Sequence, residues 1–163
     1  MIGRTDQAAD SQPATFKETQ MTEATSRRDL PGWVQKHVDD YLATDGEKGH
    51  EFQGVPALLL TTTGRRSGQP LQLPLIYGED GDRYLVVASR GGSADHPDWY
   101  KNLVAEPNVQ VQVKADRFSA RARTASEAEK PALWDLMAKI WPAYNDYQRK
   151  TERPIPVVIL ERA

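Results

Sequence analysis

The sequence predicts an α+β protein, a small closed barrel of about six short strands with helices packed outside it. Three observations predict it. Val109, Val111 and Val113 alternate with Gln110 and Gln112, the period-two pattern of a strand with one buried face. Short apolar runs around Leu58-Leu59-Leu60 and Leu85-Val86-Val87 are bounded by turn-rich clusters, as in a sheet of short strands. Stretches of helical period interrupt these strands. Closing such a sheet protects edges that would otherwise pair with other chains.

The elements follow in order. Residues 1–28 are rich in Thr, Gln, Ala, Ser and Glu and nearly empty of large apolar side chains, which predicts a disordered or weakly ordered tail. A single domain spans 29–163 and begins with an amphipathic helix. Leu30, Trp33, Val34, Val38, Tyr41 and Leu42 fall on one helical face, with Asp29 as the expected cap and Pro31 in the first turn. A glycine-rich loop over 45–54 ends it. Strands are expected over 57–63 and 71–77, then a turn at Gly78-Glu79-Asp80-Gly81-Asp82 and a buried strand over 84–89. Asp95 or His96 would cap a short helix that opens on Pro97 and runs to about Ala105. Strands over 109–113 and 118–124 follow. Ser126 and Glu129 have the spacing of a capping box for a helix through about Ile140, although Pro131 argues for a later start. A helix over 143–150 and a strand over 155–160 complete the chain.

At 163 residues and a formal charge of −2, the chain suits one domain that buries its own core and lacks the basic surface of a nucleic-acid binder. With no cysteine, disulfides, thiolate metal sites and a cysteine nucleophile are excluded. The three histidines stand in unrelated segments, so no metal site is expected. No apolar run approaches the roughly 18 residues of a membrane span. Residues 1–28 lack the apolar centre of a signal peptide. A cytoplasmic protein is expected, with weak association at the inner face of the membrane as the furthest alternative. No Gly-x-Ser-x-Gly elbow and no dinucleotide or Walker glycine pattern occurs.

The chemistry concentrates elsewhere. Gly64-Arg65-Arg66-Ser67-Gly68-Gln69-Pro70 brackets two guanidiniums and a hydroxyl between glycines, donors suited to a phosphate or carboxylate. A plain hairpin turn with solvated arginines has the same residues. An anion turn in a chain poor in catalytic side chains points to a bound cofactor that carries the hard chemistry. Further on come Val86-Val87-Ala88-Ser89-Arg90-Gly91-Gly92, then His96-Pro97-Asp98-Trp99-Tyr100-Lys101-Asn102, then Tyr144-Asn145-Asp146-Tyr147 and Pro154-Ile155-Pro156. In this order and at these intervals, from about Val55 onward, the chain resembles the deazaflavin-dependent nitroreductase family, which uses coenzyme F420.

That resemblance implies the split β-barrel of flavin-binding oxidoreductases and a set of site residues. Arg65, Arg66, Ser67, Gly68, Gln69 and Pro70 would hold the coenzyme's phosphate and glutamyl tail. Val86, Val87, Ala88, Ser89 and Arg90 would lie along the deazaflavin ring. Asp98, Trp99, Tyr100 and Asn102 would stand beside the ring, at a helix start whose free amides favour anions. Trp99 fits a purely structural core position equally well. Tyr144 and Tyr147 share a helical face and, by the resemblance, form the acceptor-facing wall, with Ser89 beside them as a further candidate catalytic group. They too could simply pack their helix on the barrel. Leu71 departs from the family, whose members often place a basic residue there, and this bears on tail-length preference.

The implied function is an F420H2-dependent reductase that transfers a hydride from reduced deazaflavin to a small electron-poor acceptor: a quinone, an enone or a nitroaromatic. A monomer or homodimer would suffice. The alternatives are an FMN-dependent split-barrel oxidoreductase and a non-catalytic cofactor or ligand carrier.

Overall fold

The computed structural model describes residues 14–22, 24 and 26–163. Within them, eight strands form one curled antiparallel sheet: β1 (Glu51–Phe52), β2 (Val55–Thr63), β3 (Pro70–Ile76), β4 (Gly78–Asp80), β5 (Arg83–Val87), β6 (Asn108–Val113), β7 (Asp116–Thr124) and β8 (Val157–Arg162). Six are long, as the sequence pattern predicts, and β1 and β4 are short additions. The order runs β1-β2-β6-β7-β8-β5-β4, with β3 on the other side of β2.

The two ends of this sheet are one stretch of chain. Ile76 pairs with Ala57 of β2, while Gly78, two residues on, pairs with Leu85 of β5. The chain bends at Tyr77, whose amide donates to the Pro56 carbonyl at 3.2 Å. This bend wraps the sheet around its core without a long exposed edge. The expected turn at 78–82 is therefore a strand over Gly78–Asp80 followed by a tighter turn. Gly78 lies close under α-helical side chains: a Cβ there would sit 2.6 Å from Met137 Sδ, so a larger residue would make that side chain shift.

Among the described residues five helices pack around the barrel: α1 (Ala14–Thr22), α2 (Gly32–Thr44), α3 (Asp98–Ala105), α4 (Lys130–Ile140) and α5 (Ala143–Arg149). The N-cap of α2 is Pro31, and Asp29 instead ends a preceding 3-10 turn, where its carboxylate accepts from Ser26 Oγ. Helix α2 seats Val34, Val38 and Tyr41 inward. The Tyr41 hydroxyl donates to the Ala57 carbonyl at 3.0 Å and accepts from the Lys114 amide at 2.9 Å, tying helix to sheet. The Ser126–Glu129 box forms: Ser126 N–H donates to Glu129 Oε1 at 2.9 Å and Glu129 N–H to Ser126 Oγ at 3.2 Å. The helix proper starts only at Lys130, which leaves Pro131 in its first turn, where a missing N–H costs nothing.

The expected tail over 1–28 is corrected for part of its length. Residues 1–13 lie outside the described residues, but Ala14–Thr22 is a helix packed on β3 and on the 3-10 turn Arg90–Gly92. Met21 is fully buried and Glu18 only 2% exposed. Composition misleads here because tertiary contacts, not an amphipathic stripe, hold so short a helix.

Candidate functional site

The turn between β2 and β3 is built from its own backbone. Gly64 N–H donates to Gln69 O at 2.7 Å, Gly68 N–H to Gly64 O at 2.8 Å, and Gln69 N–H to Ser67 Oγ at 3.1 Å. Gly68 sits at φ +74°, a conformation that only glycine adopts readily. Arg66, Ser67, Gln69 and Pro70 are exposed. Arg65 is not a free ligand arm: its guanidinium donates to Asp98 Oδ1 and to Asn102 Oδ1, each at 3.0 Å, and its amide donates to the same Asn102 oxygen at 3.2 Å. The buried Asn102 amide in turn donates to Thr62 Oγ1 at 3.3 Å. Asn102 thus locks the turn to α3, and the expected groups at 65–70 and 98–102 come together. Leu71 is buried in the barrel core, so nothing basic replaces it at that position.

Val86, Val87 and Ala88 are buried where β5 ends against β8. Ala88 N–H donates to the Pro156 carbonyl at 3.0 Å. Strand alternation therefore turns the Val87 amide to the opposite edge, which β4 leaves without a partner strand beyond Leu85. The chain then leaves through Arg90 (φ +46°), Gly91 (φ +62°) and Gly92 (φ +82°). Both glycines are needed for close approach: a Cβ at Gly91 would meet Thr19 Oγ1 of α1, and one at Gly92 would meet the Tyr147 carbonyl of α5, each at 2.5 Å.

Arg153, which the sequence reading does not single out, organises this loop. Its guanidinium donates to the carbonyls of Ser93 (2.7 Å), Ala88 (3.3 Å) and Ser89 (2.7 Å) and to His96 Nδ1 (3.0 Å). Because a guanidinium can only donate, His96 Nδ1 must carry the lone pair, and burial and Arg153 both push the imidazole pKa down. The His96 ring lies 4.8 Å from that of Tyr100, which neighbours Trp99 on α3. Arg153, His96 and Tyr100 therefore join the strand end at Ser89 to the helix carrying Asp98, Trp99 and Asn102. The only sequence signal for this was a lone arginine before Pro154.

Tyr144 and Tyr147 lie on α5, each only 2% exposed, with rings 6.0 Å apart. Trp134 flanks Tyr144 at 6.3 Å. Neither tyrosine stands at an open mouth. The Tyr147 hydroxyl donates to Glu18 Oε2 at 3.1 Å and accepts from Trp141 Nε1 at 3.4 Å. Burial raises both phenol pKa values, and the Glu18 carboxyl adds to the effect. Glu18 itself is pushed up to about 7 by burial, against the opposing hydrogen bond from Tyr147. Sequence reasoning missed Glu18 because it sits in a segment of tail-like composition.

The sequence model of the F420H(2)-dependent quinone reductase family matches residues 33–162. The chain belongs to that family. An F420H(2)-dependent quinone reductase of Mycobacterium tuberculosis (strain ATCC 25618 / H37Rv), Rv1261c, is 39% identical over 82% of this chain and 99% of its own. Among solved structures, one described as a domain-swapped dimer shares 37% identity and a TM-score of 0.64 over 79% of this chain and 97% of its own. An F420-H2 dependent reductase, FDR-A, shares 41% identity and a TM-score of 0.61 over 65% of this chain and 94% of its own. The split-barrel expectation agrees with these neighbours.

The family's cofactor is coenzyme F420, and the residues present fit it. Among the described residues, two buried side-chain donors have no hydrogen-bond partner, Ser89 Oγ and Trp99 Nε1. Both stand at positions that the resemblance assigns to the deazaflavin ring. Native proteins rarely leave such groups orphaned, and a ligand that supplies acceptors is one standard reason. The exposed Arg66 and Ser67 add donors of the type that a phosphate or glutamyl carboxylate takes. Among the described residues no group of three His, Asp or Glu side chains converges as a metal site would.

Proposed function

We propose that this member of the quinone reductase family binds reduced coenzyme F420 across the β5 end and α3 and reduces a quinone-type acceptor against Tyr144 and Tyr147. The pair of orphaned buried donors, Ser89 Oγ and Trp99 Nε1, carries the reading. Bound there, the reduced coenzyme supplies a hydride. The chain's own residues do the rest. Arg66 and the Ser67 hydroxyl hold the anionic tail, while Arg65, tied to Asp98 and Asn102, keeps that turn fixed to α3. Arg153 fixes the carbonyls of Ala88 and Ser89, which sets where Ser89 Oγ can donate. The tyrosines are buried among aromatic rings, so a phenol that meets an acceptor oxygen there is worth more than it is in water. Orientation of this kind is the main contribution a protein makes when the cofactor carries the electrons.

Enones and nitroaromatics meet the same electronic requirement and are the secondary acceptors. A monomer or homodimer suffices for this reaction. Among the described residues no helix is long and apolar enough to cross a membrane. Titration with F420, FMN and NADPH, followed by tryptophan quenching, tests the cofactor assignment. Stopped-flow oxidation of reduced F420 with and without a naphthoquinone tests turnover. Saturable F420 binding without FMN binding, together with quinone-dependent oxidation, is the expected result. Tight FMN binding would favour the flavin alternative, and F420 binding without turnover on any acceptor would favour a carrier.

A further inference from the structure

Glu18 is a buried ionisable group that nothing in the resemblance uses. Helix α1 carries it into the tyrosine cluster, where it is 2% exposed and bonded to the Tyr147 hydroxyl at 3.1 Å. Burying a carboxyl is unfavourable, and Met21, fully buried on the same helix, anchors α1 without one. The seat is close, since Thr19 packs directly on Gly91. Tyr147 donates its one proton to Glu18 in the structure; when Glu18 is protonated the bond reverses, Glu18 O–H donates to the phenol oxygen, and the Tyr147 proton is freed for an acceptor.

We propose that Glu18 supplies the proton for the acceptor site, acting through the Tyr147 hydroxyl on acceptors of the quinone class. The inference rests on the reading of Tyr144 and Tyr147 as the acceptor wall. Reduction of a quinone to a hydroquinone takes one hydride and one proton. The hydride, from the reduced coenzyme, which is thereby oxidised, brings both electrons and leaves a hydroquinone monoanion. The Tyr147 O–H bond breaks as its proton joins the anionic oxygen. The Glu18 O–H bond breaks as its proton replaces the one that Tyr147 gave up. The carboxylate left behind recovers a proton from solvent.

Acid strengths explain why the phenol needs this support. A hydroquinone anion resembles a phenolate, whose conjugate acid titrates at about 10. Burial holds the Tyr147 proton more tightly than an ordinary phenol does, so Tyr147 alone is the weaker acid. Glu18, at about 7, is a stronger acid than the hydroquinone and is still substantially protonated at neutral pH. The groups facing Glu18 are Tyr144 and Tyr147 of α5. Lys150 lies over the Tyr147 ring at 5.9 Å, and the turn beneath α1 presents Arg90, 3.9 Å from Asp95. β3, also packed on α1, carries no ionisable side chain.

Four measurements test it. In the parent enzyme, kcat for a soluble 1,4-naphthoquinone should fall as pH rises through about 7. Glu18→Gln should lower kcat at pH 6 by roughly 100-fold and flatten that limb, with F420 affinity unchanged. Infrared spectroscopy of the ligand-free protein should show a protonated carboxyl that titrates near 7 and is missing in the variant. Tyr147→Phe should lower kcat similarly. A parent without either titration, or a Glu18→Gln enzyme that keeps the descending limb, overturns the role of Glu18. If Tyr147→Phe leaves quinone turnover intact, the acceptor wall itself is misplaced. A Tyr147→Phe loss with an unaltered Glu18→Gln profile sinks the Glu18 inference alone.

Discussion

Arg65 reaches Asp98 at 3.0 Å, with both side chains about a fifth exposed, so the first arginine of the turn is part of the scaffold rather than an open anion arm. Asn102 takes a second guanidinium bond and the Arg65 amide as well. The adjacent Arg66 is exposed. The two arginines should therefore behave differently. Arg66→Ala should weaken F420 binding by on the order of 10-fold and leave Tm unchanged, since an isolated exposed charge contributes little to stability. Arg65→Ala should weaken binding and also lower Tm by several degrees, because it releases the turn from α3. Fluorescence titration beside thermal denaturation checks both; equal behaviour of the two variants would contradict this division.

Ser89 and Trp99 make an opposite prediction for stability. A buried donor without a partner is unfavourable in the free protein and becomes favourable only when a ligand accepts from it. Ser89→Ala should keep or slightly raise the Tm of the unloaded protein while raising the F420 Kd several-fold. Trp99→Phe, which keeps a ring and removes the N–H, should do the same. Loss of stability in the free protein with unchanged affinity would make both residues structural.

The barrel was legible because its signals are local. Val109, Val111 and Val113 alternate, and the 126–129 box states its own helix start. The turn at 64–70 was legible for the same reason. Arg153, Glu18 and the role of Asn102 were not, because each acts across long sequence separation: Arg153 on Ser89, Glu18 on Tyr147, Asn102 on Arg65. A single charged residue carries no periodicity, so its partner becomes visible only once the strands have been paired. The cap of α2 was misplaced by two residues for a related reason. Asp29 has the right chemistry, but Pro31 cannot donate an amide and sets the helix start itself.

Arg153→Lys should expose how much the loop depends on the shape of a guanidinium. A lysine keeps the charge but cannot span three carbonyls and His96 Nδ1 at once. Hydrogen exchange over 88–96 should rise, and F420 affinity should fall by on the order of 10-fold. Unchanged exchange in that segment would show that the glycine turn holds its shape unaided.

Tyr144→Phe removes a hydroxyl and retains the aromatic packing with Trp134 and Tyr147. If that hydroxyl orients the acceptor, kcat should drop while the F420 Kd stays within about twofold. A quinone, an enone and a nitroaromatic should be assayed separately. Unaltered kinetics on all three would return Tyr144 to a packing role.

Helix α1 should dock in a pH-dependent way. The folded-state pKa of Glu18 is raised from 4.5 to about 7, so the folded form binds its proton more tightly than the unfolded form does. The associated stability is fully present below 4.5 and is lost as pH rises through about 7, and the shift corresponds to ~3 kcal/mol. Glu129 runs the other way: Arg123 and the Ser126 amide pull it down to about 2, so its stabilising contribution is present above 4.5 and fades as pH falls through about 2. The two windows do not overlap above pH 5, which lets a change between pH 6 and 8 be read as Glu18 alone among the carboxylates with a resolved shift. Proteolysis over 14–22 should therefore accelerate from pH 6 to pH 8 in the parent, and hydrogen-exchange protection there, after correction for the intrinsic pH dependence of exchange, should fall while that of β6 and β7 holds. Glu18→Gln keeps the shape and cannot ionise, so it should hold α1 equally at both pH values. A parent helix with constant protection across that range would mean that Glu18 stays neutral, or that α1 is held by Met21 and Thr19 whatever the carboxyl does.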